Sequence, residues 1–311
     1  MKKILLMFPG QGSQTIGMGK DFYDKFPASK NIIDKLDDEL KNVIFNGPEE
    51  KLKDTKYAQP AIFTISVAIF EALKSSIDLS KFEIVTAGHS LGEYSALAVS
   101  GFFNFEDGLK MVKARGQFIG EASAENPGSM AALIGMKKET VIDVCKQASE
   151  LGVCEPVNFN SPVQIVISGT KAAVEKAVEL AKANGALKAV MLNVSGPFHS
   201  SLMKSASEKM KVELEKYTLT EPKYPIITNC DAQFTKDSSL IKEKSVKQIC
   251  NPVLWDTSMS NAIADGFDTF IEIGPGRVLT GLMRKIDRTK KAINIETVAD
   301  LEKLSSTIFE G

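Results

Sequence analysis

Phe82-Glu83-Ile84-Val85-Thr86-Ala87-Gly88-His89-Ser90-Leu91-Gly92-Glu93-Tyr94 decides the fold. Phe82 to Ala87 is a short apolar run and reads as a buried strand. Glu93 to Ser100 reads as a helix. Between them Gly88-His89-Ser90-Leu91-Gly92 has the form G-x-S-x-G. Alone such a string is weak, since a plain βα turn with a serine N-cap would look similar. A strand before it and a helix after it are the context of a nucleophile elbow. The turn is so tight that the residues flanking Ser90 must be small. It leaves the Ser90 hydroxyl at the C-terminal edge of a sheet, over a helix N-terminus.

Outward from the elbow, strands and helices alternate. Lys3 to Phe8 reads as a strand, with Gly10-Gln11-Gly12-Ser13-Gln14 as its loop. Asp21 to Leu40 has helical spacing. Ala58 to Lys74 reads as an apolar helix, with Pro60 in its first turn, and Asp107 to Glu121 as another. This order predicts an α/β fold, a parallel sheet with helices on both faces.

The middle changes character. Ser129 to Met136, Glu155 to Phe159, Gln164 to Gly169 and Leu187 to Val194 read as strands. Glu139 to Glu150 and Lys171 to Asn184 read as helices, the second closed by Gly185. The order βαββαβ is that of a ferredoxin-like unit. It is expected at 125–196, inserted in a larger domain made of 1–124 and 197–311. Beyond it, Ser200 to Tyr217 reads as a helix, Ile226 to Asn229 and Thr269 to Ile273 as strands. Gly274-Pro275-Gly276 is a turn before a helix from about Val278.

Composition sets the class. Of 311 residues, 43% are apolar and 25% charged, and the net charge of -1 gives no overall footprint for nucleic acid. The apolar run Ile4 to Phe8 ends at Pro9-Gly10, short of the roughly 7–15 residues of a secretory core. Ala61 to Phe70 is too short to span a bilayer. A cytoplasmic protein without membrane association is expected. Cys145, Cys154, Cys230 and Cys250 form no C-x-x-C pair, and two histidines give no zinc spacing. No metal is expected. The basic run Arg284 to Lys291 reads as a solvated loop ahead of a carrier contact.

A serine hydroxyl needs a base. His89 adjoins Ser90, and at an elbow the neighbouring side chain points away from the hydroxyl. That leaves His199, in Gly196-Pro197-Phe198-His199-Ser200; sequence distance is no objection, because such groups assemble across a fold. Acyl chemistry also needs two backbone N–H groups for the developing oxyanion. Leu91, after the nucleophile, is one candidate, and Gln11, between two glycines, the other.

These residues carry a resemblance. Phe8-Pro9-Gly10-Gln11-Gly12-Ser13-Gln14, Gly88 to Tyr94, Arg115-Gly116, Asn158-Phe159-Asn160-Ser161-Pro162, Gly196 to Ser200, Asn251-Pro252-Val253-x-Trp255 and Glu272-Ile273-Gly274-Pro275-Gly276 occur together and in order. Over nearly its whole length the chain resembles the malonyl-CoA:acyl carrier protein transacylases of fatty-acid synthesis. The resemblance implies an α/β-hydrolase-like core with a ferredoxin-like insertion. It implies that Ser90 takes malonyl from malonyl-CoA as an ester and that acyl carrier protein receives it, in a ping-pong sequence with no cofactor. His199 would move the proton. A backbone carbonyl, at Gln248, would orient it in place of an acid. Arg115 would pair with the malonyl carboxylate, a role a planar guanidinium suits, although by spacing alone Arg115 reads as a surface helix arginine. Asn160 would line the cleft. Phe198 is expected to crowd the malonyl carbon against a methyl branch. Ile119 stands where relatives often carry methionine. The rivals are a discrete acyltransferase of polyketide synthesis, a serine thioesterase or esterase, which would have no use for Arg115, and a carrier-protein-binding scaffold that has lost activity, against which the intact Ser90, His199 and Arg115 argue.

Overall fold

The computed structural model describes residues 1–308. Among these described residues, ten strands form two sheets. They are β1 (Lys2–Phe8), β2 (Phe82–Gly88), β3 (Ser129–Ile134), β4 (Cys154–Ser161), β5 (Gln164–Gly169), β6 (Lys188–Met191), β7 (Ile226–Ile227), β8 (Phe234–Thr235), β9 (Thr269–Ile273) and β10 (Lys291–Ile295).

The larger sheet has the order β10-β9-β1-β2-β7-β8. All its pairings are parallel except β7 with β8. Strand β1 shows why the sheet is covered on both sides. Ile4, Leu6 and Phe8 enter one core, whereas Leu5 and Met7 enter another. Side chains alternate across a strand, so an unbroken apolar run needs two buried faces. Phe63, Ile69, Met111 and Val112, from the helices Thr55–Ser76 and Phe105–Glu125, fill the first core. Met259 and Leu282, from Trp255–Ala264 and Val278–Ile286, help fill the second.

The smaller sheet is antiparallel, in the order β4-β5-β3-β6. The helices Lys138–Ala148 and Lys171–Ala183 bury Val141, Val144, Ala173 and Ala177 against Ile165 and Ile167. Its other face presents Met130, Ala132 and Val166 towards Phe198. Strand β4 is tied to the larger unit by Val253, whose N–H donates to the Val157 carbonyl (2.8 Å) and whose carbonyl accepts from Phe159 (3.0 Å).

Several expectations change. Asp21 to Leu40 is not one helix: Lys20–Lys25 and Pro27–Ile33 are separated at Phe26, and Asp38–Asn46 follows. The residue before a proline is pushed out of the helical region, and Phe26 has ψ 114. Asp37 caps the third helix by accepting from the Leu40 N–H. Pro60 lies inside its helix, not in the first turn, because Asp54 caps that helix at Thr55, ahead of the apolar run. The segment after His199 opens with a 3₁₀ turn, Ser201–Met203, before Lys204–Leu214. Strand β6 stops at Met191, short of Val194. The basic run is not one loop: Arg284 and Lys285 close a helix and Lys291 opens β10.

All four cysteines are free, Cys145 and Cys154 buried. Among the described residues no helix is long and apolar enough to cross a membrane. None of them forms a cluster of three or more His, Cys, Asp or Glu able to hold a metal.

Candidate active site

Strands β1 and β2 are parallel neighbours, so the loops that leave them emerge side by side at one sheet edge. Crevices outside the carboxyl ends of such strands are where open α/β sheets bind ligands. A cavity of about 920 Å³ opens there, between the larger sheet and the inner face of the smaller one. Gln11, Ser90, Leu91, Arg115, Asn160, Phe198 and His199 are among its lining residues.

The elbow follows from its glycines. A Cβ on Gly88 would overlap the Gly92 carbonyl group, and one on Gly92 would overlap the Phe8 carbonyl oxygen. Ser90 has φ 52. A residue with a side chain pays roughly 1–3 kcal/mol for a sparsely populated conformation and keeps it only where its surroundings impose it.

Ser90 Oγ lies 2.7 Å from His199 Nε2, and His199 Nδ1 lies 2.8 Å from the Gln248 carbonyl oxygen. That oxygen can only accept, so Nδ1 carries the proton. Nε2 is then the acceptor for the Ser90 hydroxyl. Burial, and after it the Arg115 charge, push the His199 pKa down to about 3. The resting imidazole is therefore neutral near pH 7, the state a general base requires. His89 sits elsewhere: its Nε2 is 2.7 Å from Asn160 Oδ1, and its ring packs on Trp255. That contact ties the elbow to β4.

The Leu91 and Gln11 N–H groups have no protein acceptor among the described residues, and both residues face the cavity. The Gln11 side chain is used separately, Nε2 donating to Thr55 Oγ1 at 3.0 Å. Phe198 is half-buried against the inner face of the smaller sheet. Ile119, 5% exposed, also lines the cavity.

Arg115 is only 2% exposed. Nη1 donates to Gln59 Oε1 (2.7 Å), and Nη2 donates to Gln248 Oε1 (3.0 Å) and, at 3.3 Å, to Ser90 Oγ. Nε has no partner. No carboxylate among the described residues forms an ion pair with it. Its neutral partners are carboxamides and a hydroxyl. The centroid of the Tyr94 ring lies 5.4 Å from its guanidinium carbon, and the Glu93 carboxyl acts on it only from beyond ion-pair reach. Since a buried cation is costly unless paired, the guanidinium can take a directly paired anion beside Ser90.

Three polar residues escape the sequence patterns. Gln59 lies within an apolar run whose spacing marks it only as buried. Asn229 follows β7 and takes the Ser90 N–H on Oδ1 at 2.8 Å. Glu93, 1% exposed, accepts the Asn229 N–H on Oε2 at 2.6 Å, and burial raises its pKa to about 7. An acidic residue in the first turn of an apolar helix is the one signal that points to it.

A serine on an elbow, a neutral histidine on its hydroxyl and two free N–H groups are the parts that serine acyl transfer requires. Residues 5–304 match the acyl transferase domain family, and the chain belongs to it. It is 45% identical over 315 residues to the malonyl CoA-acyl carrier protein transacylase of Bacillus subtilis (strain 168), spanning 100% of this chain and 98% of that one. Among solved structures, the acyl-carrier-protein-S-malonyltransferase of Bartonella henselae superposes with TM-score 0.95 at 39% identity, covering 98% of this chain and 99% of that one. A malonyl-transacylase solved with its type II PKS acyl-carrier protein gives TM-score 0.93 at 37% identity, with coverage of 98% and 99%.

Proposed function

We propose that this chain transfers the malonyl group of malonyl-CoA to the phosphopantetheine thiol of acyl carrier protein, through an ester on Ser90. The observation that carries this reading is the buried Arg115, 3.3 Å from Ser90 Oγ and without a carboxylate partner. An acyl group with a free carboxylate supplies the missing charge while its thioester carbon reaches Ser90. A carboxylate accepts two parallel hydrogen bonds from a guanidinium.

Malonyl-CoA binds with its carboxylate on Arg115 and its carbonyl oxygen towards the Gln11 and Leu91 N–H groups. His199 Nε2 takes the Ser90 proton as Oγ bonds to the carbonyl carbon. Collapse of the tetrahedral adduct breaks the C–S bond, and His199 returns the proton to the coenzyme A thiolate. The carrier's thiol then gives its proton to His199 and its sulfur bonds to the ester carbon; as the C–O bond to Ser90 breaks, His199 returns that proton to Oγ. The Gln248 carbonyl holds the ring through both halves. Asn160 and Phe198 line the acyl path, Phe198 crowding a branched acyl carbon. No step calls for a metal or a tightly bound cofactor.

The same reading assigns the larger sheet and its helices, 1–124 with 197–311, to an α/β-hydrolase-like catalytic domain. It assigns 125–196, with strand order β4-β5-β3-β6 and βαββαβ connectivity, to a ferredoxin-like insertion, and the enzyme to the cytoplasm. The relative solved with a type II PKS carrier extends the reading to polyketide carriers.

Intact-protein mass spectrometry after mixing with malonyl-CoA tests it. A malonyl adduct on Ser90 that persists until holo-acyl carrier protein is added is the expected result. Rapid hydrolysis without a carrier, or equal loading from acetyl-CoA, would leave a thioesterase or a general acyltransferase instead.

A further inference from the structure

We propose that Asn229 is a positioning residue for Ser90: its carboxamide, set in place by Glu93, holds the elbow in the left-handed turn that aims the Ser90 hydroxyl. This rests on the reading of Ser90 as the nucleophile. Asn229 Oδ1 accepts the Ser90 N–H at 2.8 Å, and Nδ2 donates to the Gly88 carbonyl at 2.7 Å. One planar group thus grips the turn before and at the nucleophile. Asn229 is itself immobilised. Its N–H donates to Glu93 Oε2 (2.6 Å) and its carbonyl accepts from the Leu254 N–H (2.9 Å). It is 2% exposed, so water does not replace these partners.

Chemistry restricts the position. The site needs an acceptor and a donor on two separate atoms of one short arm, which asparagine offers with no charge and a single hydroxyl does not. Aspartate keeps the acceptor and loses the donor; leucine loses both. Glu93 belongs to the first turn of the helix that the elbow launches, so helix, turn and the segment after β7 form one closed circuit of hydrogen bonds. Ser90, with φ 52, sits at its centre. Released from Asn229, the backbone relaxes towards an ordinary turn, which swings Oγ out of its 2.7 Å contact with His199. A misplacement of about 1 Å at a reacting atom lowers rates by about 10²-fold.

The test uses a fluorophosphonate, a serine-directed probe that needs neither malonyl-CoA nor Arg115. Labelling is followed to completion in the full-length wild type, Asn229→Leu and Asn229→Asp. The expected result is a labelling rate constant lower by about 10²-fold for Asn229→Leu and about tenfold for Asn229→Asp, with the final labelled fraction unchanged. Malonyl-CoA affinity, measured in a Ser90→Ala background, stays at its parent value when Asn229→Leu is added. A purely structural role would instead lower the labelled fraction and leave the rate constant of the folded remainder untouched. That outcome, or a wild-type rate constant in either variant, overturns the proposal. If Asn229→Leu does not fold, Asn229→Asp, which preserves the shape, decides alone. A wild type that labels readily yet takes no malonyl would refute the substrate reading and leave this test standing.

Discussion

Around Ser90, the larger unit gathers His199, Arg115, Glu93, Gln59, Gln248 and Asn229, all buried and linked by hydrogen bonds to carboxamide side chains or to the backbone of Gln248 and Asn229. The core under the smaller sheet is different in kind: Val141, Val144, Ile165, Ile167, Ala173 and Ala177 pack there. Two residues with left-handed backbone, Ser90 and His199, fall in the first region. The contrast teaches where chemistry is concentrated. Buried polar groups and backbone strain oppose stability, and here they converge on one hydroxyl. The smaller sheet supplies a firm wall and, through Asn160 and His89, one polar tie to the elbow. Substitutions in the first region should change rates, and those in the second should change stability.

The sharpest break is Ser90→Ala, which should abolish the malonyl adduct in intact-protein mass spectrometry while leaving the unfolding midpoint within a few degrees of wild type. An adduct forming at the parent rate would remove Ser90 from the chemistry. Next in size, His199→Ala should slow acylation by about 10²–10⁴-fold. His89→Ala should act less, through packing and the Asn160 tie; a greater loss from His89 in folded protein would exchange the two assignments.

Third, Arg115→Ala should lower the ratio of kcat/KM for malonyl-CoA over acetyl-CoA by about 10²-fold, since charge-assisted hydrogen bonds contribute roughly 1.5–3 kcal/mol each. An unchanged ratio would mean that Arg115 does not read the carboxylate.

A fourth effect concerns stability and pH. The folded pKa of Glu93 is raised from 4.5 to about 7 by burial. Its contribution to stability is therefore complete below pH 4.5, falls as pH rises and is lost above about 7. Glu93→Gln mimics the neutral form and keeps an oxygen for the Asn229 N–H. It should raise stability by on the order of 1–3 kcal/mol at pH 8 and by less at pH 5. His199, whose pKa is depressed, adds the opposite dependence below pH 6.5, but wild type and variant share it. Thermal unfolding at the two pH values checks the difference, and an equal gain at both would refute it. Smallest, Ile167→Val under the smaller sheet should destabilise by about 0.5–1.5 kcal/mol without altering the acylation rate constant. A changed rate constant would show that the wall is coupled to the site.

Legibility in the sequence follows the range of the interactions. Strand, turn and helix at the elbow are consecutive, so Phe82 to Val99 can be read locally. The doubly buried β1 declares itself by its unbroken apolar run. Ser90 and His199 are within reach as candidates because the chain offers only two histidines. Gln59 and Asn229 are not, because a carboxamide has no periodicity and each acts on a residue far along the chain; Asn229 and Ser90 are 139 positions apart. Short edge strands such as β8 hold too few residues to show a pattern. The breaks within Asp21 to Leu40 turn on Pro27 and on the Asp37 cap, which helical spacing alone overlooks.

In the proposed reaction, the carbonyl behind His199 would bear on how long the acyl-enzyme survives. A carboxylate at that place would stabilise the imidazolium and strengthen the base. A neutral carbonyl does so less, and the nearby guanidinium opposes it. A base so weakened discriminates between the two nucleophiles that can reach the ester. A thiol ionises near pH 8.5 and needs little help, whereas water, with a pKa of about 15.7, needs a great deal. On the proposed reading, the lifetime of the ester against solvent would thus be set from the far side of the ring, by an oxygen that never touches the acyl group.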